Sequence, residues 1–177
     1  MHSHDMLGLS VANVLAAVDG GASWISCTVG GLGERGGNTP LGEVLACLWR
    51  FFGDERYNLA PLTQLSQEVQ RRSGVQLGAS AGVTAEFGFA YEVAGQWRNP
   101  EIFEAVPAEL VGARRQVRVR DRLRPQLITA CVPSELTDGV DLEAVVEHAL
   151  ARLGPDRGPL GVDDLVAAVR THLDSRE

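Results

Sequence analysis

The chain has 177 residues, of which 45% are hydrophobic and 22% are charged, and its formal net charge is −7. This composition is typical of a soluble globular protein, and the acidic balance argues against nonspecific nucleic-acid binding through a broad basic surface. We expect no membrane span and no secretory signal, and we therefore expect a cytoplasmic protein. The three cysteines are an odd number in apolar surroundings, which predicts packed, reduced thiols rather than a disulfide framework.

The chain opens on His2-Ser3-His4, for which we predict an extended segment. Side chains alternate along a strand, so both imidazoles would lie on one face, where two neutral imidazoles can chelate a divalent cation. A loop over residues 30–38 carries five glycines and ends in Asn38, whose side-chain carbonyl is an oxygen donor that a metal site can use. An isolated pair of histidines near a terminus is more often a solvated coincidence, so it is the loop that favours the metal interpretation.

Helices and short strands are predicted to alternate over the first half of the chain. Apolar spacing predicts amphipathic helices over residues 7–18, 40–52 and 61–72. Thr39 is expected to cap the second of these helices. Apolar runs predict buried strands over residues 24–29 and 75–77, and this alternation is typical of the α/β class. Beyond about residue 83 the alternation breaks down, and further helices are predicted over residues 100–106, 141–153 and 163–173.

Three segments together resemble one enzyme family. His2-Ser3-His4-Asp5, residues 7–18, and Cys27 through Asn38 closely resemble the isopropylmalate, homocitrate and citramalate synthases. In that family the H-x-H ends the sixth strand of a TIM barrel, and the G-x-G-E-R-x-G-N loop follows the seventh. The resemblance implies an α/β fold in which a partial TIM (β/α) barrel, the region of strands 6 to 8, covers residues 1–82. The barrel would be partial because a whole barrel needs roughly 250 residues. A mainly α-helical C-terminal subdomain would follow over residues 83–177.

The resemblance also implies a reaction, the metal-dependent condensation of acetyl-CoA, the co-substrate, with a 2-oxo acid. His2, His4 and Asn38 would hold the divalent cation, Mg, Mn or Zn, whose task is to polarise the ketone. Glu34 and Arg35 lie beside these ligands in the motif, and we assign both as catalytic candidates. Arg35 has two open interpretations, a cation that faces the ligand or a salt-bridge partner of Glu34.

Thr28, Gly33 and Gly36 are assigned to the pocket that binds substrate and cofactor. Each has a plainer interpretation as well. A threonine at a strand end is ordinary β structure, and the glycines can serve only to permit positive φ. A position at the carboxyl end of a barrel strand favours the functional interpretation, since barrel enzymes keep their active sites there.

Beyond the barrel the chain departs from the family pattern. The family segment F-A-H-E-S-G-I-H corresponds to residues 89–96, where Tyr91 and Gln96 replace the two histidines. We assign both as catalytic candidates, although Gln96 can hydrogen-bond but cannot cycle a proton near neutral pH. In the first half, Met6 stands where the family triplet has an acidic residue.

A strip of arginines follows, at positions 114, 115, 118, 120, 122 and 124. It allows a phosphate or coenzyme A site. A solvated edge strand that resists aggregation explains the strip with fewer assumptions.

Strands 6 to 8 alone would expose two parallel edges and an apolar face, which natural proteins avoid. We therefore expect the C-terminal subunit of a split synthase, completed in a homo- or hetero-oligomer by an N-terminal-half subunit. That subunit would carry strands 1 to 5 and the remaining metal carboxylate. Two alternatives are a non-catalytic partner that regulates or stabilises such a synthase, and a truncated gene product.

Overall fold

The computed structural model describes residues 1–119, 123–152 and 158–174. Within these ranges no helix is long and apolar enough to cross a membrane. The chain divides into two compact units, one made of Met1–Gly88 with Ala105–Ala113 and the other of Phe89–Glu104 with Arg114–Glu177. The boundary that the sequence analysis places at residue 82, between a partial barrel and a helical subdomain, stays a prediction.

The first unit is built around helices that pack through an apolar face. These helices are α1 (Ser10–Asp19), α2 (Leu41–Phe52) and α3 (Leu62–Ser73). The 3₁₀ turns Val29–Gly31 and Ala108–Val111 belong to the same unit. Val14 of α1 and Val44 and Leu48 of α2 form a buried cluster, because apolar residues three or four positions apart share one face of a helix.

Short extended segments lie beside these helices. Isolated bridges join three pairs of residues, His2 with Ser26 and Thr28 with Pro40 in parallel and His4 with Asn38 in antiparallel orientation. The strand predicted over residues 24–29 is thus reduced to single bridged residues. The bridges nevertheless bring the first residues of the chain next to the end of the glycine-rich loop, where the sequence placed the candidate metal ligands.

The strand predicted over residues 75–77 is wrong, because this segment is tied to the end of α3 and not to a neighbouring strand. The Val75 N–H donates to Ser73 Oγ at 3.2 Å, and the Leu77 N–H donates to Gln70 Oε1 at 2.9 Å. Side chains of α3 therefore take the backbone groups that a sheet would need.

Two predicted helix starts also need correction. The first helix begins at Ser10 and not at residue 7, because the Asp5 carboxylate accepts the Ser10 N–H at 2.8 Å, and Leu7 is left 85% exposed. Thr39 does not cap α2, since its hydroxyl oxygen lies 2.8 Å from Ser3 Oγ. The Thr39 hydroxyl and the Asp5 carboxylate therefore make contacts that the apolar spacing of a helix does not predict.

The second unit is mainly helical. Its short strands, β1 (Ala90–Tyr91) and β2 (Gln116–Val117), pair in parallel. Its helices are α4 (Ala94–Arg98), α5 (Pro100–Phe103), α6 (Pro125–Cys131), α7 (Ser134–Thr137), α8 (Leu142–Arg152) and α9 (Val162–Asp174). Leu127, Val145 and Leu165 join α6, α8 and α9 in one buried core. The helices predicted over residues 141–153 and 163–173 are confirmed as α8 and α9, and residue 153 lies outside the described residues.

Candidate metal centre

The first unit places His2, His4 and Asn38 on one face of adjoining extended segments. His2 and His4 are two residues apart, and Asn38 is the bridge partner of His4, so the three side chains project to the same side. Ser3 and Thr39 project to the opposite side, where their hydroxyl oxygens lie 2.8 Å apart. Thr39 is fully buried, so this hydrogen bond fixes the register of the two segments from within the unit.

The two imidazoles converge through the same ring nitrogen. His2 Nε2 and His4 Nε2 are 3.4 Å apart, the ring centroids are 4.9 Å apart, and the ring planes are inclined at 89°. Two nitrogens bound tetrahedrally to one zinc ion, each about 2.1 Å from it, are roughly 3.4 Å from each other. The observed separation therefore fits a chelating pair, and it is also the length of a hydrogen bond between the two rings.

The second nitrogen of each ring is held by a neighbouring oxygen. His2 Nδ1 lies 3.1 Å from Ser26 Oγ, and His4 Nδ1 lies 3.2 Å from the backbone oxygen of Glu34. A carbonyl oxygen only accepts, so His4 carries its proton on Nδ1 and has a lone pair on Nε2. A histidine binds a metal through Nε2 in this tautomer, with the other nitrogen fixed by an outer partner. Sequence reasoning missed Ser26, because its place beside His2 depends on a bridge that no local pattern shows.

Asn38 supplies an oxygen to the same face. Its Nδ2 donates to the Leu32 oxygen at 3.0 Å, which orients the amide. Its Oδ1 is buried and accepts no hydrogen bond from any residue that the structure describes. A buried acceptor without a donor costs free energy unless an ion or ligand pairs with it. Gly33 leaves room for this amide, since a Cβ at Gly33 would lie 2.4 Å from Asn38 Nδ2.

These donors fit a divalent cation. Two neutral imidazole nitrogens and one amide oxygen are ligands that zinc, manganese and magnesium sites draw on. Over residues 1–119, 123–152 and 158–174, no group of three or more His, Cys, Asp or Glu side chains is placed to hold a metal. The donors on this face are two imidazoles and one amide, none of which is an anionic group.

Arg35 reaches the nitrogen that a metal would use. Its Nη2 lies 2.5 Å from His4 Nε2, and its Nε lies 3.5 Å from Glu34 Oε1. The side chain thus makes the ion pair with Glu34 that the sequence left open, and its role as a cation that faces the ligand stays a prediction. The Glu34 side chain is 79% exposed, and the contact of Glu34 with the His4 imidazole is made by its backbone oxygen.

Thr28 organises the glycine-rich loop from its base. Its backbone oxygen accepts the N–H groups of Gly31 and Leu41, and its own N–H donates to the Thr39 oxygen. Its hydroxyl donates to the Leu32 oxygen at 2.7 Å. The polar groups of Thr28 are therefore occupied within the loop, and a role in ligand binding stays a prediction.

Gly36 has a steric reason to be glycine. Its φ is +81°, and a Cβ there would lie 2.9 Å from Met6 Cα. The close approach of these two backbones brings the loop against the segment that follows His4. A direct contact of Gly36 with cofactor stays a prediction.

Glu43, which the sequence analysis did not single out, is a partly buried acid in the first turn of α2. Its Oε2 has no hydrogen-bond partner among the described residues. Gly82 lies so close to the carboxyl group that a Cβ at Gly82 would overlap Oε1. Burial raises the pKa of the Glu43 carboxyl, and the charge of Asp5 adds to this. The pKa of the Cys47 thiol is raised as well, mainly by burial and in addition by the charge of Glu43. The sequence carries no signal for this, because an acid in the first turn of a helix is ordinary.

Tyr91 and Gln96 lie in the second unit, where Tyr91 belongs to a buried ionic cluster. The Tyr91 hydroxyl donates to Glu104 Oε1 at 2.8 Å, and Arg115 donates to Glu104 Oε1 and Oε2 at 2.5 and 3.1 Å. The Glu104 side chain is only 4% exposed. Gln96 Oε1 accepts the Glu92 N–H at 3.4 Å. The catalytic roles assigned to Tyr91 and Gln96 stay predictions.

The strip of arginines is described only in part, since Arg120 and Arg122 lie outside the described residues. Arg115 and Arg118 each pair with a glutamate, and Arg114 and Arg124 are exposed. Two cations of the described strip therefore face carboxylates, which weakens the case for an anion site along it.

Known proteins are similar to this chain over most of its length. Residues 1–69 match a family model described as HMGL-like. A homocitrate synthase of Methanopyrus kandleri is 36% identical over 185 residues, which cover 99% of this chain and 46% of that protein. A homocitrate synthase of Pyrococcus horikoshii is 30% identical over 174 residues, which cover 96% of this chain and 47% of that protein. One from Sulfolobus acidocaldarius is 40% identical over 119 residues, covering 65% of this chain and 25% of that protein. The chain spans about half the length of the first two relatives.

Proposed function

We propose, from the match of residues 1–69 to the HMGL-like family model and from the similarity to homocitrate synthases, that the chain supplies the metal-binding part of a homocitrate-synthase-like enzyme. The reaction would be the condensation of acetyl-CoA with a 2-oxo acid. The proposed setting of the site is a partial TIM barrel, completed by an N-terminal-half subunit that carries strands 1 to 5.

The geometry of the two imidazoles carries this proposal. Their Nε2 atoms are 3.4 Å apart, and each Nδ1 is held by an oxygen, so the rings are oriented before any ion arrives. The buried, unpaired Oδ1 of Asn38 on the same face supports the same interpretation.

The proposed partner is supported by the edge of the first segment. None of the described residues forms a backbone hydrogen bond with the N–H or C=O groups of His2 and His4. A strand edge with free donors and acceptors is a template for another strand. A strand from the N-terminal half would cover this edge, and a carboxylate at its end would supply the anion that the donor set lacks.

The residues of the candidate metal site have separate roles in the proposed reaction. A divalent cation held by His2, His4 and Asn38 would polarise the ketone of the 2-oxo acid. Ser26 and the backbone oxygen of Glu34 keep the imidazoles in their orientation. We assign the base that removes a proton from the acetyl methyl group to the N-terminal half. Other catalytic candidates in this chain are the Glu34 carboxylate, Arg35, Tyr91 and Gln96.

Zinc titration of the chain by calorimetry at neutral pH tests the metal site. We expect one ion per chain, and we expect His4→Ala to lower the affinity at least about tenfold, since even the loss of an outer partner costs that much. His148→Gln, which removes a histidine of α8 in the second unit, is the matched control and should bind as the wild type does. Zinc binding that is unchanged in both His2→Ala and His4→Ala would refute the site.

A non-catalytic partner of such a synthase is the second candidate. The Tyr91 hydroxyl is bound to Glu104 inside a buried cluster, and Gln96 cannot cycle a proton, which favours a half that binds without completing the chemistry. On this hypothesis Gln96→His changes no rate in the complex with the N-terminal half. A rate that rises in Gln96→His would favour the catalytic subunit instead.

A further inference from the structure

The guanidinium of Arg35 lies on the nitrogen that the proposed metal needs. Arg35 Nη2 is 2.5 Å from His4 Nε2, while His4 Nδ1 faces the Glu34 oxygen. An arginine side chain only donates hydrogen bonds, so this contact uses the lone pair of Nε2. That lone pair is the one through which His4 would bind an ion. The guanidinium and a metal therefore cannot hold His4 at the same time.

Charge strengthens this exclusion. The guanidinium is permanently protonated, and a divalent ion about 2.1 Å from Nε2 would lie within a few ångströms of it. Like charges at such a distance repel even at a protein surface, where solvent screens them only in part. A metal that binds His4 must therefore move the Arg35 side chain away.

Arg35 is held loosely enough to move. Its side chain is 62% exposed, and its other contact, 3.5 Å to Glu34 Oε1, is an exposed ion pair that contributes little. Its backbone φ is +51°, and Arg35 is the only non-glycine residue with positive φ among those that the structure describes. An L-residue adopts this conformation at a cost, and such residues are concentrated at functional sites.

We propose that Arg35 is a resident cation of the metal site, which holds the His4 imidazole in its metal-binding tautomer and is displaced when the ion binds. The inference rests on the proposed metal site and adds an internal competitor to it. The apparent metal affinity is then the intrinsic affinity multiplied by the fraction of chains in which His4 Nε2 is free. Loading of the site is thereby linked to a movement of the Arg35 side chain.

Zinc calorimetry of Arg35→Gln and Arg35→Ala tests this competition. Both variants should bind zinc about three- to tenfold more tightly than the wild type, because no guanidinium has to leave. Arg50→Ala is the matched control, since Arg50 is an exposed arginine in the last turn of α2, and its affinity should not change. Nitrogen NMR of the metal-free chains adds a second readout. The signal of His4 Nε2 should move in both Arg35 variants and stay in place in Arg50→Ala.

Each contrary outcome has its own meaning. Zinc affinity that is equal or weaker in both Arg35 variants, with a wild type that binds zinc, would overturn the competition and leave the metal site standing. A wild type and variants that all fail to bind zinc would overturn the metal site, and the competition with it.

Discussion

At the scale of single residues, the position of the Asn38 amide depends on Gly33. A Cβ at Gly33 would lie 2.4 Å from Asn38 Nδ2, so Gly33→Ala must turn the amide away from the face that it shares with His4. We expect zinc affinity to fall about tenfold, as for the loss of other groups that orient a site. Gly95→Ala is the control, because no atom lies within 4 Å of the added Cβ. Equal zinc affinity in Gly33→Ala and the wild type would show that the amide is not a ligand.

The Tyr91 cluster leads to a second prediction at this scale. Arg115→Met removes a cation that pairs with the buried Glu104 carboxylate and should lower the free energy of unfolding by about 3–5 kcal/mol. Tyr91→Phe removes one hydrogen bond to a charged group and should cost about 1.5–3 kcal/mol. Urea unfolding measures both, and Arg98→Met, at an exposed arginine of α4, should stay within about 0.5 kcal/mol.

The outcome separates two roles of Tyr91. A loss of stability in Tyr91→Phe with an unchanged rate in the assembled enzyme would assign the hydroxyl to structure. Unchanged stability with a lost rate would contradict the structural role and restore the catalytic assignment.

The sequence predicts that His2, His4 and Asn38 belong to one site, but it does not predict which residues surround them. The alternation of a strand and the family loop are enough to place these three side chains on one face. The contacts of Ser26 and Arg35 with the imidazoles depend on the register of two bridges and on a left-handed backbone at Arg35. The bridges join segments far apart in the chain, and the loop motif does not show that Arg35, a non-glycine residue, has positive φ.

At the scale of elements, the start of α2 contains an acid that opposes stability at high pH. Burial raises the pKa of the Glu43 carboxyl above its ordinary value of 4.5, so the folded chain keeps this proton to higher pH than the unfolded chain does. The stability linked to this proton is full below the unfolded pKa and is lost as pH rises through the folded pKa. Glu43→Gln removes that loss. Its melting temperature should therefore exceed that of the wild type by a few degrees, about 2–4 °C, at neutral pH.

Thermal melts as a function of pH check this prediction. The advantage of Glu43→Gln should shrink as pH falls below 4.5, where the carboxyl is protonated in both states. Cys47 reports on the same charge, and its alkylation should be faster in the variant. Cys131 is an internal control, because burial alone raises the pKa of its thiol to about 11. A variant that is less stable than the wild type at neutral pH would contradict the buried-charge explanation.

Helices were predicted more successfully than strands. Periodic apolar residues determine α2, α8 and α9 locally, so their existence follows from the sequence alone. The predicted strands depend on neighbours that pair with them, and residues 75–77 find hydrogen bonds to α3 side chains instead. The two-residue pairing of β1 with β2 joins segments far apart in the chain, and the edge strand considered for the arginine strip did not indicate this partner.

At the scale of the whole molecule, the first unit exposes several large apolar side chains. Leu7 and Trp24 are each 85% exposed, and Phe51 is 72% exposed. Exposed apolar side chains of this size mark interaction surfaces when they occur together. In the proposed assembly, the N-terminal half would cover such side chains together with the free edge at His2 and His4.

Co-expression of this chain with the N-terminal half of a homologous homocitrate synthase tests the central proposal most directly. Size exclusion would show whether the two chains co-elute, and a free-thiol assay would follow coenzyme A release from acetyl-CoA with a panel of 2-oxo acids. We expect a stable pair that releases coenzyme A with one acid and loses this activity in His4→Ala. Chains that elute separately, or a pair that releases no coenzyme A with any acid, would contradict the proposal.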